Sequence, residues 1–378
     1  MITWEQLRDL AGFRAQQGCA VSMYLNLDPR EVPTAADVET RANSLIHETQ
    51  RILDERKGSL GREQREALKR DIERITSWFD DGLARQGGVR GVAVFAAGLD
   101  GLWSIVPLPD PVADDVRIAG ELYLAPLARL VGRSDGVLVA AVGRERGQVF
   151  KLDGGQLVEI ADESEDVPGR HDQGGWSQAR YERHIDEIVE RHWRRVAETL
   201  ERCARMQQGA RVVLVGAEDM RSDFESILSN EVKGCLLGWT TAEAHADASQ
   251  LLEASRPVLE AWWEKREAEL LDRWREEAAK HGRAATGWEQ TLEAASDGRA
   301  ELLLVQDGAD EPAYQCPHCG RAQMSNGSCP LDGTTMEARQ SGLDLAVHQT
   351  LAHGGTVQVI RARRDLEPVG GVGALLRY

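Results

Sequence analysis

Two short stretches of the chain combine residue types whose spacing suits chemistry. The first, QCPHCGRAQMSNGSCPLDG, runs from Gln315 to Gly333. Cys316 and Cys319 have the Cys-x-x-Cys spacing of a zinc knuckle, and Cys329 with Asp332 repeats it with a carboxylate in the last place. Thiolates and carboxylate oxygens are tetrahedral zinc ligands, so these four residues read as one structural metal site, with His318 as a less well spaced substitute. Two alternatives stay open. A redox dithiol has the same form, but it follows a strand and opens a long helix, whereas here Gly320 follows at once and a second knuckle-like turn repeats. The other is a degenerate knuckle without metal. No activating Glu-His pattern accompanies the cysteines, so nothing marks a catalytic zinc.

The second stretch is VPGRHDQGGWSQARYERH, Val167 to His184. It sets Gly174 and Gly175 side by side in a polar loop, places Gln178 three residues later and runs straight into a helical pattern. Paired glycines let a backbone approach another molecule closely. A glutamine amide accepts through its oxygen and donates through its nitrogen, which suits it to holding a water. Taken alone, the same composition also suits a surface connection whose glycines merely permit a turn.

The elements that must position these stretches fall into three blocks. Residues 1–133 read as an α/β unit: an amphipathic helix, the strand VSMYLNLD, a charged helical stretch from Asp37 to Arg85 broken near Gly58 and Gly61, then the strands GVAVFAA and WSIVPLP. Residues 134–252 open with GVLVAAVGRERGQVFKLDGGQLVEI, three apolar runs separated by Gly-containing turns, hence an antiparallel meander. After the glycine loop a helix from about Gln178 to Met206 puts Ile185, Val189, Val196, Leu200 and Cys203 on one face. RVVLVG, a helix around Phe224 and Ile227, and KGCLLGW then alternate as βαβ, so this block reads as an RNase H-type layered sheet. Residues 253–378 carry most of a helix predicted from Ala248 to His281, which Pro257 starts or kinks. They continue with helix, turn and buried strand in GWEQTLEAASDGRAELLLVQDG, and close with HQTLAHGGTVQVI and GGVGALLRY. The cysteine-rich segment 314–336 interrupts this last block as a satellite.

Composition bounds the function. At 378 residues, two or three domains are expected, and 42% apolar with 28% charged residues gives each a core and excludes a disordered chain. The net charge of −17 argues against indiscriminate coating of nucleic acid, which needs Lys and Arg to neutralise phosphates. Cys19, Cys203 and Cys235 are isolated in apolar patterns and read as buried thiols. MITWEQLRDL lacks a basic region followed by an apolar stretch, and no segment has eighteen uninterrupted apolar residues, so a cytoplasmic protein without membrane partners is expected.

In order and content, VPGRHDQGGWSQARYER resembles the peptidyl-transferase-centre loop of the archaeal and eukaryotic class I release factors and the Pelota superfamily. There, a VPGRH-like segment, a spacer, a Gly-Gly-Gln and an Arg-rich helix start connect the strand meander to the long helix of the middle domain. GWEQTLEAASDGRAELLLV is similar to the helix and strand of the family's ribosomal-protein-like C-terminal domain, and a small metal insert and a GG-x-GALLR-type final strand occur in bacterial relatives. The resemblance implies an α/β multidomain factor with an N-terminal α/β domain, an RNase H-like middle domain, and a C-terminal α/β domain with a zinc-knuckle insert. It implies the ribosome as partner, through rRNA and peptidyl-tRNA, with a translational GTPase such as elongation factor Tu for delivery, and structural zinc as cofactor.

The departures shape the expected function. Aligned on the glycine pair and on RYER, Trp176 takes the place of the family's catalytic glutamine, and Gln178 lies two positions later. Ribosome-quality-control hydrolases of the Vms type carry such a displaced glutamine, and Gly175 to Gln178 fits their Gly-x-x-Gln pattern. The resemblance thus assigns Gln178, Gly174 and Gly175 to hydrolysis and Arg170, His171, Trp176, Arg180 and Arg183 to RNA contact. The more distant His184, Arg191 and Arg194 suit a solvated helix face equally well. The release factors' Asn-Ile-Lys-Ser stop-codon element has no counterpart: the corresponding region reads TRANSLIHETQRILDERKGSL. Rescue of stalled ribosomes by peptidyl-tRNA hydrolysis is the leading expectation. A Balon-type hibernation factor, occupying the A site without chemistry, is the alternative that Trp176 favours.

Overall fold

The computed structural model describes residues 4–58, 60–80, 89–131, 136–153, 155–165, 178–207, 209–280 and 282–378, without the side chains of 178–183. The first part of the chain holds α1 (Trp4–Ala11), β1 (Ala20–Asn26), α2 (Ala35–Glu55), α3 (Arg62–Asp80), β2 (Gly91–Ala97), β3 (Leu102–Leu108), β4 (Asp115–Ala119) and α4 (Ala125–Ala128). The strands form an antiparallel sheet in the order β3-β2-β1-β4. Strand alternation divides β1 between two faces. Val21, Met23 and Leu25 face α2 and α3 with Leu45, Leu68 and Ile72, and Tyr24 joins a different cluster. Thr34 starts α2 through a reciprocal capping box with Asp37, which satisfies two otherwise orphaned N–H groups.

The middle part holds β5 (Val137–Val142), β6 (Gly147–Asp153), β7 (Gln156–Asp162), α5 (Gln178–Arg205), β8 (Arg211–Val215), α6 (Arg221–Ile227), α7 (Asn230–Cys235), β9 (Leu236–Thr240) and α8 (Ala248–Ala279). The sheet order is β7-β6-β5-β8-β9, with β5–β6–β7 antiparallel and β5–β8–β9 parallel, the meander-plus-alternation of an RNase H-type sheet. α5 to α7 cover one face and the first half of α8 the other. One boundary differs from the sequence reading: Lys233 to Cys235 belong to α7, because Ser229 accepts a hydrogen bond from the Val232 N–H and caps a helix there, so the strand starts at Leu236. Pro257 lies inside α8.

The last part holds β10 (Ala284–Thr286), α9 (Gly287–Ser296), β11 (Ala300–Gln306), β12 (Ala313–Gln315), β13 (Ala322–Gln323), β14 (Glu337–Arg339), α10 (Gly342–Ala352), β15 (Thr356–Ile360) and β16 (Val372–Leu376). Its main sheet runs β10-β16-β11-β15, and β13-β12-β14 forms the small sheet of the cysteine insert.

The chain divides into two compact units, Met1–Gly132 with Arg266–Tyr378, and Arg133–Lys265. In the first unit the second face of the N-terminal sheet shares a core with the C-terminal elements: Leu7, Tyr24 and Phe95 cluster with Leu303, Leu343 and Val347. Polar groups pin this contact. Asp344 Oδ1 accepts from the N–H groups of Leu124 (2.7 Å) and Ala125 (3.1 Å), and the buried His348 ring lies 2.7 Å from the Leu122 carbonyl and 3.2 Å from that of Ala11. No helix of the described residues is long and apolar enough to cross a membrane.

Candidate functional site

The glycine loop springs from the end of β7, whose continuation is fixed to the start of β6. Glu163 N–H donates to the Gly147 carbonyl (2.8 Å), Glu165 N–H to that of Glu145 (2.9 Å), and Gly147 N–H to Ser164 Oγ (3.1 Å). Side chains hold the same segment against α5: Thr199 Oγ1 donates to Glu163 (2.8 Å), and Arg195 pairs with Glu165. α5 is locked in turn to the β5–β6 turn. Trp193 Nε1 donates to the Gly143 carbonyl (2.8 Å), the His192 Nε2 atom lies 3.1 Å from the Arg146 carbonyl, and Ile185, Val189, Val196 and Leu200 are buried as their spacing predicts. Gly147 makes this approach possible, since a Cβ there meets Val196 at 2.4 Å and His192 at 3.1 Å. Arg170, His171, Gly174, Gly175 and Trp176 lie outside the described residues, as does the expected projection of the loop from Val167 to Ser177. Gln178 is the first residue of α5, and Arg180 and Arg183 belong to its first two turns. Arg194 pairs with Glu190 along the helix, as a solvated face does.

The cysteine insert brings its four residues together. One ligand atom from each of Cys316, Cys319, Cys329 and Asp332 lies within 4.8 Å of every other. Two matching turns build the cluster. In the first, Cys316 N–H donates to the Arg321 carbonyl (2.8 Å) and Gly320 N–H to that of Cys316 (2.9 Å). In the second, Cys329 N–H donates to the Thr334 carbonyl (2.8 Å) and Gly333 N–H to that of Cys329 (2.9 Å). Gly320 and Gly333 close these turns at φ of +80° and +74°, a region that disfavours residues with a Cβ. Cys319 N–H also donates to Cys316 Sγ (3.4 Å).

The spacings suit zinc. Tetrahedral bonds of about 2.3 Å to sulfur and about 2.1 Å to oxygen place two sulfurs about 3.8 Å apart and a sulfur about 3.6 Å from an oxygen. Cys319 and Cys329 have Sγ atoms 3.5 Å apart, and Cys316 Sγ lies 3.5 and 3.7 Å from the Asp332 oxygens. Burial acts to raise the Cys316 thiol, but N–H groups of Cys319 and His318 and the neighbouring thiols bring it below its ordinary value. Burial lifts Cys319 to about 11. The Thr334 N–H and then His318, 2.9 Å away, hold Asp332 well below the usual carboxylate range. Four protein ligands leave no open position, so a metal here supports structure. The insert is fastened locally as well: Gln315 donates to Glu121, Arg321 pairs with Asp297, and Gln349 donates to the Gly320 carbonyl (2.8 Å).

Sequence reasoning missed Arg146, His192 and Trp193. Arg146 lies in a turn legible only as glycine-bounded, and donates to the Ala244 (3.2 Å) and Ala246 (2.8 Å) carbonyls. Cys203 is buried as expected, whereas Cys19 and Cys235 are half-buried, and burial raises all three thiols. Trp262 lies under the Arg211 guanidinium at 4.3 Å, a packing role.

Residues 123–260, which contain the loop and both of its anchors, match the model of bacterial archaeo-eukaryotic release factor family 10. Peptide chain release factor subunit 1 of Methanopyrus kandleri is 27% identical over 229 residues, 57% of this chain and 54% of that protein, so the chain aligns with about half its length. The same factor from Thermococcus kodakarensis is 22% identical over 99% of this chain and 96% of its own. Among solved structures, Archaeoglobus fulgidus Pelota aligns over 73% of this chain and 76% of its own at 18% identity, with a TM-score of 0.35. With the family match centred on the segment that carries the glycine loop, the chain is a bacterial release-factor- and Pelota-like protein of the archaeo-eukaryotic type.

Proposed function

We propose that the chain is a ribosome-associated translation factor that enters the A site and hydrolyses peptidyl-tRNA during rescue or release. The observation that carries this reading is the release-factor match of residues 123–260, which span the loop and the helix that begins at Gln178. In the proposal, Gln178 orients the attacking water through its amide, while Gly174 and Gly175 let the backbone approach the ester. Positioning of water and donors is most of what such a hydrolysis requires of the protein. Firm anchorage on both sides of the loop, at Glu163 to Glu165 and along α5, supports that role, because a positioning group needs a rigid base. Arg170, His171, Trp176, Arg180 and Arg183 contact rRNA or tRNA in this reading. A translational GTPase such as elongation factor Tu delivers the factor, zinc in the Cys316–Asp332 site holds the insert, and the protein acts in the cytoplasm.

Trp176 favours a second reading. Its indole, next to the glycine pair, can stack on a base or fill the place of the reacting water. The chain then occupies the A site as a hibernation factor without chemistry. Purified chain mixed with ribosomes carrying labelled peptidyl-tRNA separates the readings when binding is followed by co-sedimentation and peptide release in the same samples. Binding with release above background is the expected result. Binding without release assigns the hibernation role, and absence of both overturns the two together.

A further inference from the structure

The Arg133–Lys265 unit contains a crevice of about 970 Å³, at the upper end of the range for small-molecule sites. It opens where β5, β8 and β9 end, beyond Val142, Val215 and Thr240. The chain leaves β5 on one side for β6 and β7 and returns on the other for β8 and β9, so this is the switch point of the sheet. Crevices outside the carboxyl ends of strands at such a point are where open α/β sheets bind ligands.

Chemistry of the walls selects the ligand class. Apolar surface comes from Val142, Val215, Met220 and Leu251. Five carboxylates line the crevice against two guanidinium groups and one imidazole, and the Arg146 guanidinium is already spent on the Ala244 and Ala246 carbonyls. Glu145, Asp219 and Glu243 are exposed and make no ion pair among the described residues. A phosphate-bearing ligand is repelled by this excess of negative charge, and an apolar one leaves it uncompensated.

A second observation points the same way. His192 is wholly buried, with Nε2 facing the Arg146 carbonyl, while its Nδ1 has no hydrogen-bond partner and faces Glu165 Oε1 across 3.7 Å. A neutral ring that donates from Nε2 presents a lone pair at Nδ1. Two acceptors then face each other at the crevice wall without a donor between them, and an ammonium group supplies one. We propose that this crevice binds an aliphatic polyamine, its methylenes along the apolar floor and its ammonium groups on the carboxylates.

The test is calorimetric titration of the full chain with spermidine at physiological salt, beside inorganic pyrophosphate and a tetralysine peptide. Saturable 1:1 binding of spermidine is expected, weakened at least tenfold in the Glu145→Gln/Asp219→Asn/Glu243→Gln variant. Melting temperature without ligand stays unchanged there, since the three side chains are exposed. Glu63→Gln/Glu73→Gln on α3 removes carboxylates elsewhere and leaves affinity as it was. Equal weakening in both variants reduces the effect to general attraction toward a chain of net charge −17 and overturns the site. So does the absence of saturable binding, or an affinity that the triple substitution leaves unchanged. Tighter binding of pyrophosphate overturns the ligand class, and tighter binding of tetralysine transfers the site to a polypeptide.

Discussion

At the scale of single residues, Gln178 and Cys316 make opposite demands on the protein. If Gln178 orients the attacking water, Gln178→Ala leaves ribosome affinity nearly unchanged, because one side chain is a small part of the contact. Peptide release then falls by about tenfold to a thousandfold, as loss of an oriented transition-state contact does. Single-turnover release and co-sedimentation on the same preparation check both halves. Cys316 lies outside that chemistry. Cys316→Ser removes one ligand of a group that only local spacing assembles, so zinc measured by elemental analysis in protein purified without chelator falls from about one per chain towards none. The insert becomes sensitive to protease, while release by the variant stays at the wild-type rate. The two residues also differ in legibility. The metal group was readable because each Cys-x-x pair closes its own turn, with Gly320 and Gly333 supplying the left-handed residue. His192 and Trp193 were not, because their partners are backbone carbonyls 46 and 50 residues away that no spacing rule reaches.

Elements were legible where their periodicity was long. α5 buries the face its sequence marks, and the meander pairs as its turns require. β4 and α4 were missed: at five and four residues they are too short for a period to show, and tertiary partners define them. The seating of α5 on β6 depends on Gly147, and Gly147→Ala drives a methyl into Val196. Overpacking of this kind costs about 1–3 kcal/mol, to be read as a lowered denaturant midpoint with an unchanged slope. A second test concerns the far end of the N-terminal sheet, where Arg90, just before β2, pairs with the buried Asp28 beyond β1. The Arg90 guanidinium holds the Asp28 carboxyl below its usual value. A depressed carboxyl stabilises the fold above its unfolded pKa and loses that contribution as pH falls through the folded one. Asp28→Asn therefore melts at a lower temperature than wild type at pH 7. The difference shrinks as pH falls below the ordinary Asp value of about 3.9, which thermal melts across that window measure.

At the scale of the whole molecule, the division into units follows space and not sequence. Residues on either side of the middle unit share one core, and nothing in the periodicity of either segment announces it, because each reads as an α/β segment with a core of its own. The polar pins of that core give a prediction. His348→Ala leaves the Leu122 and Ala11 carbonyls without this partner in a buried place, at about 1–3 kcal/mol for each group left unsatisfied. Scanning calorimetry is expected to show two transitions, one per unit, and the substitution to lower one midpoint while leaving the other in place. The same discontinuity has a consequence for biosynthesis. Leu7, Tyr24 and Phe95 are made early, but Leu343 and Val347, with which they cluster, follow more than two hundred residues after α4. At roughly 5–20 residues per second, the apolar face of the N-terminal sheet waits about 10 to 40 s for its cover. The middle unit, contiguous in the chain, has every contact of its own core as soon as it emerges, so the last-made helix completes the first-made sheet, and a nascent chain halted before α10 keeps that sheet open to chaperones.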